Sequence, residues 1–382
     1  VVEPAEGDPL RVLQVLGSSA GGVARHVAQI AAALNVPGPD GPGVRVSVAG
    51  PAGLAGAVAP AGSRVVYHPV PITDRPRPGD LAVLGRLRAL AAGADVLHAH
   101  GLRAGALAVL AARTRAPAGR PRVVVTLHNL PVGGPAVLVV SAVLEQVVAR
   151  GADVVLAVSG DLARRARSRG ASAVERALVP APSRPRPSAD AATVRRSLGV
   201  PDTAALVVTV ARLAPQKGLD TLLDASVRLG ALRPVLWVLA GDGRLHDRLA
   251  ARIAHLQAPV RLLGHRSDVA DLFAAADVVV STAVWEGQPI GVQEALQLGA
   301  PLVATDAGGT REVTGDEAAM LVPVGDAAAI AATVAGLLAD PAERAALAAR
   351  ARARAVELPD LGAVVGQLRR VYGVAGVSRP VE

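Results

Sequence analysis

The strongest constraint on this chain is a rhythm. Short runs of valine, leucine and alanine alternate with helical stretches, pause at a proline-rich segment, and begin again. Leu10-Arg11-Val12-Leu13-Gln14-Val15-Leu16 reads as a strand, residues 17–22 as a turn and residues 23–34 as a helix. Further strands read at 44–48, 65–68, 96–99, 123–127 and 154–158, with helical stretches such as 81–92 and 103–112 between them. A second series follows at 206–210, 235–240, 260–263, 278–281 and 302–305. Strand-like runs separated by helices of roughly 10–15 residues argue for parallel βαβ units. The expected class is α/β, with two doubly wound domains whose ligands bind at the carboxyl ends of the strands.

The break lies at Pro180-Ala181-Pro182-Ser183-Arg184-Pro185-Arg186-Pro187-Ser188, which is too rich in proline to join a sheet interior. The expected boundaries are a first domain over 1–180, a linker over 181–200 and a second domain over 201–360. A last helix over about 361–374 is long enough to cross back, so that 361–382 completes the first domain. The 382 residues suit two cores better than one. No repeat of about 20–50 residues is visible, which argues against solenoids and propellers.

Composition removes several function classes. With 0 Cys there are no disulfides or thiolate-metal sites, which fits a cytoplasmic protein. No apolar run reaches the about 18 residues of a membrane span, and the start of the chain lacks the regions of a signal peptide. Aromatics are 1%, so stacking platforms for single-stranded nucleic acid are scarce. Residues 1–180 carry 19 arginines against 11 acids, whereas 181–382 carry 21 basic and 21 acidic residues. The first half therefore suits an anionic partner, or has a generic arginine-rich surface.

Lys217 is the only lysine in the chain. It follows the strand Val207-Val208-Thr209-Val210 and the turn 211–216, and Lys217-Gly218 opens a helix. A strand feeding a helix start flanked by Arg212 and Lys217 is a natural place for a diphosphate, although a solvated turn has the same description. Downstream, Glu286 stands in a loop after a strand and Pro289 suits the first helical position. The amides of Ile290 and Gly291 then face a ligand, and Glu294 falls on the helix a little more than one turn later. Gly21 and Gly22 end the first turn, where backbone can approach a phosphate. The segment is not a dinucleotide fingerprint, and no acid stands at the end of the second strand, so a nicotinamide cofactor is disfavoured.

In that order, Gly21-Gly22, Arg212…Lys217-Gly218, Gly241-Asp242-Gly243 and the Glu286…Glu294 spacing resemble the retaining glycosyltransferases of the GT-B fold, family 4. Thr209-Val210-Ala211-Arg212-Leu213 and the run Val303–Gly309 look like that family too. The resemblance implies two Rossmann-like domains facing across a cleft and a UDP- or GDP-type sugar donor, with no resident cofactor. It implies that Arg212 and Lys217 bind the diphosphate, with Gly22 approaching it from the first domain. Glu286 would sit beside the donor sugar, Glu294 on the ribose, and the turn Leu263-Gly264-His265 near the base. Gln288 stands where the family commonly has a bulky apolar residue, which bears on which sugar is taken.

His98 and His100 share one face of a strand because its period is two. His100 lies nearer the carboxyl end, and similarity to the family places it against sugar and acceptor. His128 is a second candidate, and His98 is expected in the core. No Asp-x-Asp occurs, so Arg212, Lys217 and helix N-termini are expected to replace a metal. The acceptor is expected to be a sugar, a lipid-linked molecule or a small molecule bearing a hydroxyl. Arg75, Arg77, Arg86 and Arg88 beside Leu81, Leu84, Leu87 and Leu90 suggest a peripheral contact with an anionic membrane at its inner face, or leucines packed on the sheet. A nucleotide-sugar epimerase, a phosphorylase on the same plan and a basic nucleic-acid-binding protein are the alternatives.

Overall fold

The computed structural model describes residues 8–18, 22–36, 43–73, 77–131, 134–182 and 186–374. The chain divides into two compact units. One comprises the residues up to Pro180 with those from Pro359 onward, and the other is Ala181–Leu358.

The first unit is built on seven parallel strands: β1 (Leu10–Leu16), β2 (Val44–Gly50), β3 (Val66–Pro69), β4 (Val96–His100), β5 (Arg122–Leu127), β6 (Val154–Ala157) and β7 (Val174–Arg176). Their order is β3-β2-β1-β4-β5-β6-β7. The second unit has β8 (Ala205–Val210), β9 (Val235–Ala240), β10 (Val260–Gly264), β11 (Val278–Ser281), β12 (Leu302–Thr305) and β13 (Met320–Val322), in the order β10-β9-β8-β11-β12-β13. In each sheet the order reverses beside the unit's first strand, between β1 and β4 and between β8 and β11. Connections leaving such a pair go to opposite faces and open a crevice at the carboxyl ends. Both candidate regions read from the sequence follow these strands.

Burial on both faces explains why the strands read as unbroken apolar runs. Val207, Trp237 and Leu239 pack on one side of the second sheet, and Leu206, Val208 and Val238 on the other. Trp237 is fully buried, and its indole N–H donates to Thr209 Oγ1 at 3.0 Å. The Thr209 hydroxyl passes the chain on to the Val280 carbonyl at 2.7 Å, so the largest side chain in this core leaves no polar group unpaired.

The last helix, Leu361–Tyr372, belongs to the first unit. Asp360 caps it by accepting from the Ala363 amide. Gln367 accepts from the Leu178 amide at 2.8 Å and donates to the Arg176 carbonyl at 2.6 Å, closing the β7 edge.

Three expectations need correction. The segment 181–200 is not linker throughout: Ala191–Ser197 is a helix capped by Asp190, and Ser188 and Ala189 donate to the buried Asp271. Second, β7 and β13 went unread, because three-residue edge strands leave too short a run to register. Third, the leucines of the helix Asp80–Ala91 do not form an exposed stripe. Val83, Leu87 and Ala91 form its buried face, and Leu81 alone stands well out. Of the four leucines Leu87 is core and Leu84 and Leu90 are half-buried, which favours the packing alternative over the membrane contact. Arg75 lies outside the described residues. Among the described residues, no helix is long and apolar enough to cross a membrane.

Candidate active site

The second unit gathers its chemistry at the reversal between β8 and β11. After β8 the chain makes a short turn at Pro215–Lys217 and enters the helix Leu219–Leu232. Gly218 makes the junction at φ +60, and a Cβ there would lie 2.0 Å from the Thr282 carbonyl oxygen. Only glycine allows that approach. Three bonds fix the turn from outside: Thr282 Oγ1 donates to the Lys217 carbonyl at 2.9 Å, the Val284 amide to Gln216 at 2.9 Å, and the Leu213 amide to Asp242 at 2.9 Å. The base of the Lys217 side chain is thus held by the loops after β9 and β11. Its ammonium forms an ion pair with Glu286 Oε1, both groups being largely withdrawn from solvent.

Glu286 is braced in turn. Its carbonyl accepts from the Gly309 amide at 2.8 Å, and Gly308, at φ +56, has no room for a Cβ beside that same oxygen. Pro289 does not open the next helix as expected but precedes it: its ψ of 100° is extended, and its carbonyl accepts from the Val292 and Gln293 amides, both at 3.1 Å. The helix runs Ile290–Leu298, so Ile290 and Gly291 supply its first two amides, which have no carbonyl a turn earlier to bond. Val210, Ala211, Lys217, Glu286, Ile290 and Gly291 line one pocket. A Cβ on Gly291 would meet only the Val210 carbonyl oxygen, at 3.7 Å, so protein packing does not require glycine there. The first amides at the positive end of a helix, beside an ammonium now paired with Glu286, are groups of the kind that can receive a phosphate.

The remaining predicted residues of this unit do not line this pocket. Arg212 is exposed and reaches Gln216 Oε1 only at 3.5 Å. Gly264 ends β10 and accepts from the Gly241 amide at 2.7 Å, and His265 beyond it is exposed. Gln288 accepts from Gln293 Nε2 at 3.3 Å, and Glu294 is half-buried on the helix. Thr282 was not singled out from the sequence; a threonine at a strand end carries no signal apart from the loop it ties.

The first unit gathers histidines. His98 uses both ring nitrogens within the core, Nδ1 with the Tyr372 hydroxyl at 2.6 Å and Nε2 with Thr126 Oγ1 at 2.7 Å. His100, the last residue of β4, lies tilted against His98 with ring centroids 4.3 Å apart. Its Nδ1 shares a hydrogen bond of 3.1 Å with His128 Nε2. Its other nitrogen, Nε2, is buried with no partner among the described residues. His26, on the helix Gly22–Leu34, meets both His100 and His128 edge-on. The sequence reading passed over His26, because a histidine among alanines on a helix carries no spacing signal. Burial pushes the His26 ring down to about 4 and His98 to about 3, and holds His100 and His128 well below the usual range. All four are neutral at pH 7, so His100 can accept or donate a hydrogen bond without carrying charge.

His100 also borders a pocket with Gly17, Ser18, Arg103, Asn129 and Ser141. Arg103 is held by Asp80 through two contacts of 2.6 and 2.8 Å. Gly22 is the exposed first residue of its helix, and Gly21 lies outside the described residues. Among the described residues, no group of three or more His, Cys, Asp or Glu is placed to hold a metal.

Two parallel Rossmann-like sheets with alternating helices, each with its functional loops at the strand-order reversal, define the GT-B class of α/β protein. Residues 190–354 match the model for glycosyl transferases group 1, and residues 21–182 that for the glycosyl transferase 4-like domain. The phosphatidyl-myo-inositol mannosyltransferase of Mycolicibacterium smegmatis is 32% identical over 290 residues, covering 73% of this chain and 70% of that enzyme. The chain belongs to this glycosyltransferase family.

A GDP-mannose-dependent monoacylated α-(1-6)-phosphatidylinositol monomannoside mannosyltransferase of Corynebacterium glutamicum is 30% identical over 174 residues. That match covers 43% of this chain and 46%, about half, of the relative. Among solved structures, Anabaena Alr3699/HepE in complex with UDP superposes with a TM-score of 0.77 over 95% of this chain and 99% of its own, at 24% identity. At that identity the likeness shows the fold alone.

Proposed function

We propose that this glycosyltransferase moves a hexosyl unit from a nucleoside diphosphate sugar to a hydroxyl group, with retention at the anomeric carbon and without a metal ion. The observation that carries the reading is the placement of Lys217, paired with Glu286, at the first amides of the helix Ile290–Leu298. Negative charge builds on the β-phosphate as the glycosidic bond breaks, and an ammonium and amides already aimed there stabilise it more in the transition state than in the bound donor. Arg212 lies in the same loop and is free to close on the diphosphate. Glu286 then exchanges its partner, losing the ammonium to the phosphate and taking sugar hydroxyls instead. Glu294 takes the ribose, and Gly264 with His265 borders the base.

The second unit is thus the donor side and the first the acceptor side. His100 accepts a hydrogen bond from the acceptor hydroxyl through its unpartnered Nε2, positioned by His128, while the departing phosphate takes the proton in a front-side attack. No resident cofactor is used. The relatives' names favour a UDP- or GDP-type donor and a lipid or glycolipid acceptor, in keeping with a role in cell-envelope glycan, glycolipid or secondary-metabolite synthesis.

The test is product analysis with a panel of nucleotide sugars, with and without added hydroxyl acceptors and with a chelator present. A glycoside of retained configuration, formed only with acceptor and unaffected by the chelator, supports the reading. An isomerised nucleotide sugar formed from donor alone would instead identify an epimerase.

A further inference from the structure

The first sheet departs from burial on both faces at one corner. In β2 the side chains of Val44, Val46 and Val48 are buried, whereas Arg45 is exposed and Ser47 half-buried. Arg11 of β1 is the register partner of Arg45, and Val66 of β3 that of Ser47, so these side chains share one face. Arg64, two residues before Val66, and His68, two after it, continue the alternation. A parallel sheet of this kind normally has helices over both faces. Here the helix Asp80–Ala91 meets the corner with Ala89 and Leu90, and the face beneath stays open as a cavity of about 760 Å3.

The cavity is one-sided in charge. Arg11, Arg45, Arg64 and His68 border it, and none of its lining residues is acidic. Asp95 neutralises Arg11, accepting from Nε at 3.1 Å and from a terminal nitrogen at 2.7 Å. Among the described residues, neither the Arg45 nor the Arg64 side chain has an ion pair or hydrogen bond. Cations directly opposite one another on neighbouring strands are destabilising, so packing gives no reason for Arg45 to face Arg11. The edge of β2 is not waiting for a strand at this level, because the Asn35 amide group bonds both backbone groups of Val46, at 2.8 and 3.2 Å. Val66, 57% exposed, and Leu90 add apolar wall beside the cations.

With Arg11 neutralised, two positive charges remain, which complement the charge of nearly two on a phosphate monoester at neutral pH. Each guanidinium can offer such a group two parallel N–H donors. The volume is that of a small-molecule site, and the apolar wall calls for a body as well as a charge.

We propose that this corner binds a small phosphate monoester with a compact apolar body, its phosphate held by Arg45 and Arg64 and its body against Val66 and Leu90. The site lies at the amino ends of β1 and β2, whereas His100 stands at the carboxyl end of β4. It is separate from the donor and acceptor assignments and does not rest on them.

The test is calorimetric titration with phenyl phosphate, using inorganic phosphate as the control without a body and phenol as the control without a charge. Phenyl phosphate is expected to bind at least tenfold more tightly than either and to raise the unfolding midpoint. Arg45→Gln/Arg64→Gln should lose at least tenfold in that affinity while still binding a nucleoside diphosphate. Arg164→Gln/Arg228→Gln removes the same charge from two exposed positions elsewhere and should bind phenyl phosphate as the wild type does, as should Lys217→Ala. Arg45 and Arg64 are exposed, so an unchanged unfolding midpoint without ligand shows that their variant is folded.

Equal affinities for phenyl phosphate and inorganic phosphate, unchanged binding in Arg45→Gln/Arg64→Gln, or an equal loss in Arg164→Gln/Arg228→Gln would overturn the proposal. So would a loss confined to Lys217→Ala, which would put the phosphate in the second unit. Tighter binding of succinate would make the ligand a dicarboxylate instead. Salt-sensitive binding of arbitrary duplex DNA that is lost in Arg45→Gln/Arg64→Gln, with phenyl phosphate ignored, would make the corner a nucleic-acid surface. Failure of the donor reading looks different: no nucleoside diphosphate would bind, whatever phenyl phosphate does.

Discussion

The two units share a plan and differ in how completely their sites are built. In the second unit the loops after β8, β9 and β11 are tied to one another by backbone bonds, and the lone ammonium has a carboxylate partner. In the first unit the corresponding strand end presents an imidazole with a buried nitrogen unpaired, beside a helix turn whose aliphatic residues are exposed. Unpaired buried polar atoms and exposed apolar turns both carry a cost in the free protein. The difference teaches that the second unit's candidate site is tied together by the protein's own bonds, whereas the first unit's leaves polar and apolar groups for a ligand to satisfy.

The largest expected effect strikes the second unit. Lys217→Ala should lower turnover by about 100- to 1000-fold, the scale of losing one electrostatic contact to the transition state. Lys217→Arg should recover little, since a planar fork cannot replace a compact ammonium in a turn fixed on three sides. Steady-state rates with saturating donor check both, and near-normal activity in the arginine variant would break the comparison.

His100→Gln is expected to cost about 100-fold in turnover, the low end for a group that hydrogen-bonds the reacting hydroxyl. Nucleoside diphosphate binding should stay unchanged, because the residues proposed to hold it, Lys217, Ile290 and Gly291, belong to the second unit. Calorimetry beside kinetics reads the two separately. Within the second unit, Glu286→Ala should reduce turnover while free nucleotide still binds, whereas Glu294→Ala should weaken free nucleotide as well. Equal losses of nucleotide binding would reverse the assigned order along the ligand.

Acid should separate the units further. His26 and His98 are held near about 4 and about 3 in the folded chain, against the ordinary 6.5 that they regain on unfolding. The unfolded state therefore binds more protons, and stability falls as pH drops from about 6.5 towards 4, with each unit of depression worth about 1.4 kcal/mol. His246, His255 and His265 of the second unit are all exposed. Amide exchange at pH 5 should accelerate in β4 and β5 before β8 and β11. Uniform acceleration would contradict the assignment.

The smallest effect is the most discriminating. Gly291→Ala has open space for its methyl group and should stabilise the fold by up to about 1 kcal/mol, as alanine does over glycine in a helix. The same methyl group should weaken diphosphate binding severalfold. Thermal unfolding with and without nucleotide measures both signs.

The sequence disclosed these two sides unequally, for physical reasons. Strands buried on both faces, such as 206–210, must read as apolar runs, and Lys217, Glu286 and Pro289 stand beside strand ends where a ligand loop is expected. Asp190, by contrast, caps a helix immediately after a run of prolines, and the prolines hid the cap. The helix Pro135–Gly151 is apolar through most of its length, so periodicity cannot tell its inner face from its outer one. The partners of His26 and Tyr372 come from distant elements, and no local spacing announces them.

The central claim is that the donor's diphosphate is held in the second unit through the Lys217 ammonium. Calorimetric titration of a nucleoside diphosphate into the wild-type protein, Lys217→Ala and His100→Gln tests it most directly. The account predicts matching affinities for wild type and His100→Gln, and a loss of at least tenfold for Lys217→Ala. Unchanged affinity in Lys217→Ala, or an equal loss in His100→Gln, would contradict it.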